Sequence, residues 1–350
     1  MILSPTQPAA GREVLAAGMP ALVPSLGASL GAGPDPMIAL ADIATARRYA
    51  DASRAASTQR AYTADWRRFS QWCAGRSLDT LPADPRVVAV FLAAEAELGS
   101  APLTIGRRLA AIGWMHRRAG LQPPQKRQGA AAILEVIAGI RRSHGVAPVK
   151  KLAADADVLR DLLRAISGDG LRAVRDRALL AFGMAGAFRR SELVALQLSD
   201  VAWVPEGLRV TIRRGKTDQE GAGATIAIPE GRRLRPKALL DAWVQQAGVT
   251  DGFLFRRLIR GQAGTATVSV APMSDRAVAR LVQARVLAAG YDPAGFAGHS
   301  LRSGFLTAAA RSGASIFKMR EVSRHKSMQV LADYVRDAEL FRDHAGKGFL

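Results

Sequence analysis

The sequence predicts a mainly α-helical chain with a small antiparallel β-sheet, an α+β protein of two domains. Three observations carry this. Apolar residues recur at steps of three and four through 53–145 and again through much of 157–334, which is the helical period. Between 201 and 229 the period changes to two, as in half-buried strands. The segment VAPVKKL at 146–152 interrupts the helical pattern with proline and paired lysines, the composition of a linker. With 350 residues, each half can bury its own core. The expected boundaries are a flexible tail at 1–48, a helical bundle at 49–145, a linker at 146–154 and a second domain at 155–350.

The tail is Ala, Gly, Pro and Ser with no sustained period. Its glycines at 27, 31 and 33 follow no strand and precede no Gly-Lys-Ser/Thr, so they make no phosphate loop. From about 53 to 74, Tyr62, Trp66, Phe69 and Trp72 or Cys73 form one apolar stripe of a first helix. Asp84-Pro85 starts a second over 85–98, which Gly99 stops. A third helix spans 102–118 and a fourth 130–143, ending at Gly120 and Gly145; four helices with short joints make a bundle.

The second domain opens with helices over 157–166 and 171–184. In AGAFRRSELVALQLSD, Glu192 lies three residues after Arg189 and so on nearly the same helix face. VAWV, LRVTIRR and ATIAIP then alternate between turns, giving a three-stranded antiparallel sheet, with Lys216 at the tip or shoulder of its second hairpin. Helices over 234–246 and 275–289 follow. Ser300 is expected to cap another, with its interior beginning at Leu301.

Charge narrows the partner. The 49 Lys+Arg against 30 Asp+Glu give a formal charge of +19, which points to a polyanion and above all to nucleic acid. Only eight of the basic residues are Lys, and arginine suits bidentate phosphate contacts. An Ala- and Gly-rich composition raises arginine everywhere too. Doublets at Arg107-Arg108, Arg117-Arg118 and Arg141-Arg142 on two bundle helices are the candidate DNA-facing groups. The single cysteine, Cys73, excludes an internal disulfide, and no Cys/His cluster has zinc spacing. The expectation is an intracellular chain without metal, cofactor or membrane span.

The chemistry concentrates between 298 and 334. His299 and Arg302 flank the expected helix start, where the positive helix end favours an anion. An arginine fork takes two phosphate oxygens, and histidine moves a proton near neutral pH. Tyr334 offers a phenol, whose phenolate is both an acceptable nucleophile and an acceptable leaving group, so a phosphotyrosyl ester can form and be reversed. Taken singly each feature is ordinary: His-x-x-Arg suits a solvated face, His325 a loop, Lys216 a turn, and Tyr334, three residues after Leu331, the apolar side of a helix.

Together, Arg189 with Glu192, Lys216, His299-x-x-Arg302, His325 and Tyr334 follow the order found in the tyrosine recombinases. This is the phage-integrase-like family of Xer/Cre-like site-specific DNA recombinases, which the chain resembles. Ala187-Phe188-Arg189-Arg190-Ser191-Glu192 is a relaxed form of the family's first box, and Gly298-His299-Ser300-Leu301-Arg302-Ser303-Gly304 is very close to its second. Arg324 departs from the pattern, standing where many relatives have glycine, and Arg190 adjoins Arg189.

The resemblance implies a SAM-like core-binding bundle and a tyrosine-recombinase catalytic domain. It implies that Arg189 and Arg302 clamp the scissile phosphate, Lys216 protonates the leaving 5′ oxygen, and His299 assists proton movement. His325 would hydrogen-bond the phosphate, and Tyr334 would attack to leave a 3′-phosphotyrosyl link. It also implies double-stranded DNA with an inverted-repeat site, a homotetramer on two sites, accessory DNA-bending proteins, and a cytoplasmic location in a bacterial or phage setting with nucleoid association. The C-terminal tail carries Leu340, Phe341, Phe349 and Leu350; so short an amphipathic segment either folds back onto its own domain or, as the resemblance implies, docks on a neighbouring protomer. A type IB topoisomerase uses similar groups, but the two-domain size and the HSLR box argue against it. A catalytically inactive DNA-binding regulator would lack one of the six groups, and all six are present.

Overall fold

A computed structural model describes residues 40–145, 151–213, 223–261, 265–340 and 345–349. The chain divides into two compact units, Met1–Pro148 and Val149–Leu350.

In the first unit, α1 (Leu40–Ala52) precedes α2 (Ala56–Ala74), α3 (Pro85–Glu97), α4 (Pro102–Arg118) and α5 (Ala131–His144). Residues 40–48, read above as tail, are therefore helical; their small polar stretches carry little apolar period. α3 starts as its sequence suggests, with Pro85 in the first turn and the Asp84 carboxylate accepting the Arg86 N–H at 2.7 Å. α2 packs on α4 and α3 on α5 around buried Trp66, Phe69, Phe91, Ile105, Ile112 and Ile133. Each such fully buried side chain stabilises by roughly 1.5–3 kcal/mol relative to exposure. Cys73 lies in this core, where burial pushes its thiol up to about 11. His116 is also buried. Its Nε2 accepts the Ala83 N–H at 2.9 Å, so the proton sits on Nδ1, which donates to Ile112 O at 2.8 Å.

The second unit begins with α6 (Ala156–Arg164), α7 (Leu171–Ala185) and the short α8 (Arg190–Ala195). The expected three-stranded sheet follows as β1 (Val201–Val204), β2 (Gly207–Ile212) and β3 (Ala224–Pro229), antiparallel in that order. Leu208 pairs with Ile228 and Val210 with Ile226, so the alternating apolar residues bury one face. After α9 (Pro236–Ala247) comes a hairpin absent from the sequence reading, β4 (Arg256–Arg260) and β5 (Ala266–Pro272). Its signal was weak because β4 is mostly Arg, its register with β5 shifts between Arg256 and Leu258, and Val270 is exposed. α10 (Asp275–Ala288), α11 (Ser300–Arg311), α12 (Ile316–Ser323) and α13 (Met328–Ala338) complete the unit. Among the described residues no helix is long and apolar enough to cross a membrane.

Residues 151–154, read above as the end of the linker, are fastened to this second unit. Leu152 N–H donates to Gly295 O at 2.8 Å and Ala154 N–H to Ser300 O at 2.9 Å. Gly304 makes this possible, since a Cβ there would stand 1.8 Å from Ala154 O.

Candidate active site

The turn between α7 and α8 builds one wall. Ala187 takes a left-handed conformation (φ 45°), which turns the chain so that Arg189 precedes α8. Glu192, buried in the first turn of α8, accepts the Arg189 backbone N–H at 2.9 Å with Oε2 and the Arg189 guanidinium at 2.5 Å with Oε1. Burial by itself would raise the Glu192 carboxyl. Arg324, the Arg189 N–H and the Arg189 guanidinium outweigh burial and hold it below its ordinary value. Arg190 lies elsewhere, with its stem across Gly298, where a Cβ would meet its Cδ at 2.1 Å.

The second wall is α11. The helix starts at Ser300 rather than after it, and His299 occupies the cap position with helical φ and ψ. The Ser300 hydroxyl therefore points back and accepts the Ala297 N–H at 2.9 Å, a correction to the expected forward cap. One turn in, Arg302 is fully buried. Its Nη1 donates to Ala187 O at 2.6 Å, and its Nη2 lies 3.2 and 3.3 Å from the two ring nitrogens of His325. Arg302 Nε has no partner among the described residues. Burial, then Arg189 and Arg324, lower this guanidinium to about 9, so it remains charged at neutral pH.

The third wall is the turn from α12 to α13. Ser323 Oγ is 2.8 Å from His325 Nδ1. Burial first, then Arg302, Arg189, His299 and Arg324, lower the imidazole to about 4. It is neutral at pH 7 and can accept a hydrogen bond from Arg302. Tyr334 stands on α13, half-buried against Leu306, Ala310, Met319 and Leu331. Burial raises its phenol while Arg302 opposes the rise, so the two groups act on one another and the phenol is protonated at neutral pH. His299 is exposed and close enough to bear on His325.

The site thus brings together Arg189, Glu192, His299, Arg302, His325 and Tyr334. Lys216 lies outside the described residues. Arg324 was seen in the sequence only as a departure, yet its guanidinium enters the same cluster. Ser323 and the Ala187 carbonyl gave no sequence signal.

The bundle arginines divide. Arg108 is buried against Glu95 and donates to Ser100 Oγ at 2.7 Å, so it is corrected from a DNA-facing group to an internal brace. Arg107 closes on Asp65 at 2.7 and 3.1 Å. Arg118 pairs with Asp51 at 2.7 Å and lies over the Trp114 ring. Arg117, Arg141 and Arg142 are exposed and have no ion pair among the described residues.

This geometry agrees with what the chain is similar to. The profile of the phage integrase family matches residues 154–340, the span holding every group named in the cluster. This chain belongs to that family. It is a tyrosine recombinase. An integrase/recombinase XerD homologue of Selenomonas ruminantium is 34% identical over 302 residues, covering 86% of this chain and 87% of the relative. The Cre recombinase of Escherichia phage P1 is 24% identical over 286 residues, covering 78% and 82%. In fold, the chain is similar to the XerH site-specific recombinase in a post-cleavage complex with a palindromic difH substrate. That likeness has a TM-score of 0.56 at 18% identity and covers 75% of this chain and 72% of the other.

Proposed function

We propose that this chain, by family a site-specific DNA recombinase, breaks and rejoins DNA through a covalent link at Tyr334. The observation that carries the reading is three buried or nearly buried arginines around one carboxylate, with a phenol beside them: a cluster with surplus positive charge suits a phosphodiester. Arg189 and Arg302 hold the nonbridging oxygens and stabilise charge as it builds on them. Neutral His325 is fixed by Ser323 and Arg302 and adds a contact to the same phosphate. Tyr334 Oη attacks phosphorus, the bond from phosphorus to the 5′ oxygen breaks, and the 3′-phosphotyrosyl ester keeps the bond energy for rejoining. His299 takes up the phenol proton as Tyr334 Oη attacks, and Lys216 delivers a proton to the departing 5′ oxygen. Arg117, Arg141 and Arg142 serve the DNA backbone from the first unit. The partner is duplex DNA with an inverted-repeat site, in the cytoplasm.

Strand exchange between two duplexes needs four cleavages and therefore four protomers. A groove of about 750 Å³ between α11, α12 and α13 has Ala310, Ile316, Ala332 and Val335 on its apolar side, with Arg336, Glu339 and this chain's own Leu340 at its edge, and suits the apolar tail of a neighbour. Leu340 and Phe349 are exposed near the C-terminus, while Phe341 and Leu350 lie outside the described residues.

The decisive experiment is Tyr334→Phe. It should retain folding and DNA affinity and abolish the covalent adduct; an adduct that persists moves the nucleophile to another tyrosine and ends this reading. Deleting 338–350 should leave half-site binding intact and remove cooperative occupancy of the full site. Normal recombination by the truncated chain would refute the tail assignment.

A further inference from the structure

Arg324 follows the last turn of α12 in a left-handed conformation, φ 57° and ψ 40°, where glycine fits without strain and an arginine does not. Its side chain compensates through an extensive set of contacts. Nη2 donates to Glu192 Oε2 at 2.9 Å, Nη1 donates to Gly186 O at 3.3 Å and to Val322 O, and the guanidinium covers the Phe188 ring at 5.4 Å. Only 11% of the side chain is exposed. Its own carbonyl accepts from Arg189 Nη2 at 3.4 Å.

These contacts bear on Arg189. An arginine beside a free carboxylate closes on both oxygens, the strongest geometry available to the pair. Here Glu192 Oε2 is taken by Arg324 and by the Arg189 backbone N–H, so the Arg189 fork reaches only Oε1. Its second nitrogen is left on the long contact to the Arg324 carbonyl, a bond a phosphate oxygen readily replaces. The same side chain ties the turn carrying His325 to the turn carrying Arg189, because Arg324 and Arg302 both reach Ala187 O.

Resting on the recombinase reading above, we propose that Arg324 is a positioning residue. It occupies Glu192 so that Arg189 keeps half its fork for the scissile phosphate. Without it, Arg189 would close on Glu192 and meet the phosphate only after breaking that pair.

The test uses the full chain and a nicked duplex carrying the site recovered from a random-sequence library by binding to the Tyr334→Phe protein. Single-turnover adduct formation and half-site affinity are measured for wild type, Arg324→Gly, Glu192→Gln and the double variant. Glycine suits the backbone at this position. Arg324→Gly should slow adduct formation by about 10-fold or more with half-site affinity within about 2-fold, the pattern of a contact made in the transition state. Glu192→Gln keeps the acceptor for the Arg189 N–H but loosens the competing grip, so the double variant should be faster than Arg324→Gly. A wild-type rate in Arg324→Gly overturns the proposal. So does a slow Arg324→Gly that Glu192→Gln fails to relieve, which would make Arg324 a direct phosphate contact or a plain structural brace. If Arg324→Gly loses its fold, Arg324→Lys replaces it in the same comparison, since one ammonium cannot hold all these acceptors. No adduct from wild type would instead sink the recombinase reading, and this proposal with it.

Discussion

Two clusters of arginine and carboxylate, one in each unit, use the same residue types to opposite ends. In the first unit Asp65 and Glu95 face Arg68, Arg107 and Arg108. Both carboxylates are buried, Arg68 and Arg107 keep about half their side chains in water (48% and 49%), and all three guanidiniums close on a carboxylate. In the second unit Glu192 stands alone among Arg189, Arg324 and the fully buried Arg302. Two carboxylates among three cations make a brace whose spare charge water absorbs. One carboxylate among three desolvated cations leaves surplus charge that only an anion can satisfy. What separates these two clusters is therefore the ratio of carboxylate to buried guanidinium, since each holds three arginines.

Lysine scanning should break the comparison if it is wrong. Arg302→Lys and Arg189→Lys keep charge and lose the fork, and each should slow adduct formation on the order of 10²- to 10³-fold. Arg108→Lys and Arg190→Lys should leave the rate per folded molecule within about 2-fold. A slow Arg108→Lys would erase the distinction between the clusters.

The stability readout should run the other way. Arg108→Met leaves Glu95 with Arg68 and the Ser100 hydroxyl. It should destabilise the chain by about 3 kcal/mol in urea unfolding, the low end for a broken buried pair. An unchanged unfolding midpoint would mean that the brace carries no load.

The smallest effect is in pH. The folded chain holds His325 neutral down to about 4, whereas the unfolded chain protonates it near the ordinary value of about 6.5. Between these values the unfolded state binds more protons, so this contribution is present above 6.5 and is lost as pH falls toward 4. His116 in the first unit is lowered in the same direction by burial. Replacing either histidine by Gln should flatten the fall in melting temperature between pH 7 and 5, and an unaltered slope in both variants would refute the assignment.

Much of this was legible in the sequence. The helices of the bundle and the β1–β3 sheet followed from period, because apolar spacing fixes which faces are buried. The clustering of Arg189, Arg302, His325 and Tyr334 followed only from the family resemblance that their order in the chain carries. Arg108 was misread because it lies on the inward face of α4, and only its partner Glu95, thirteen residues earlier, says so. The Ser300 cap was misread because His299 already has helical dihedrals, a property the residue type does not carry. Arg324 was visible as an oddity, but its contacts with Glu192 and Gly186 span more than 130 residues and no local pattern encodes them.

The chain contains a single cysteine, and its thiol sits in the bundle core with its ionisation pushed up to about 11. A thiolate is the reactive species, so Cys73 is nearly inert toward maleimides at neutral pH while the protein is folded. Any cysteine introduced at an exposed position, such as Leu134 or Val270, becomes the one site that takes a dye. Two such positions, one in each unit, would follow the distance between the units as DNA is captured and released, with no need to remove a native thiol first.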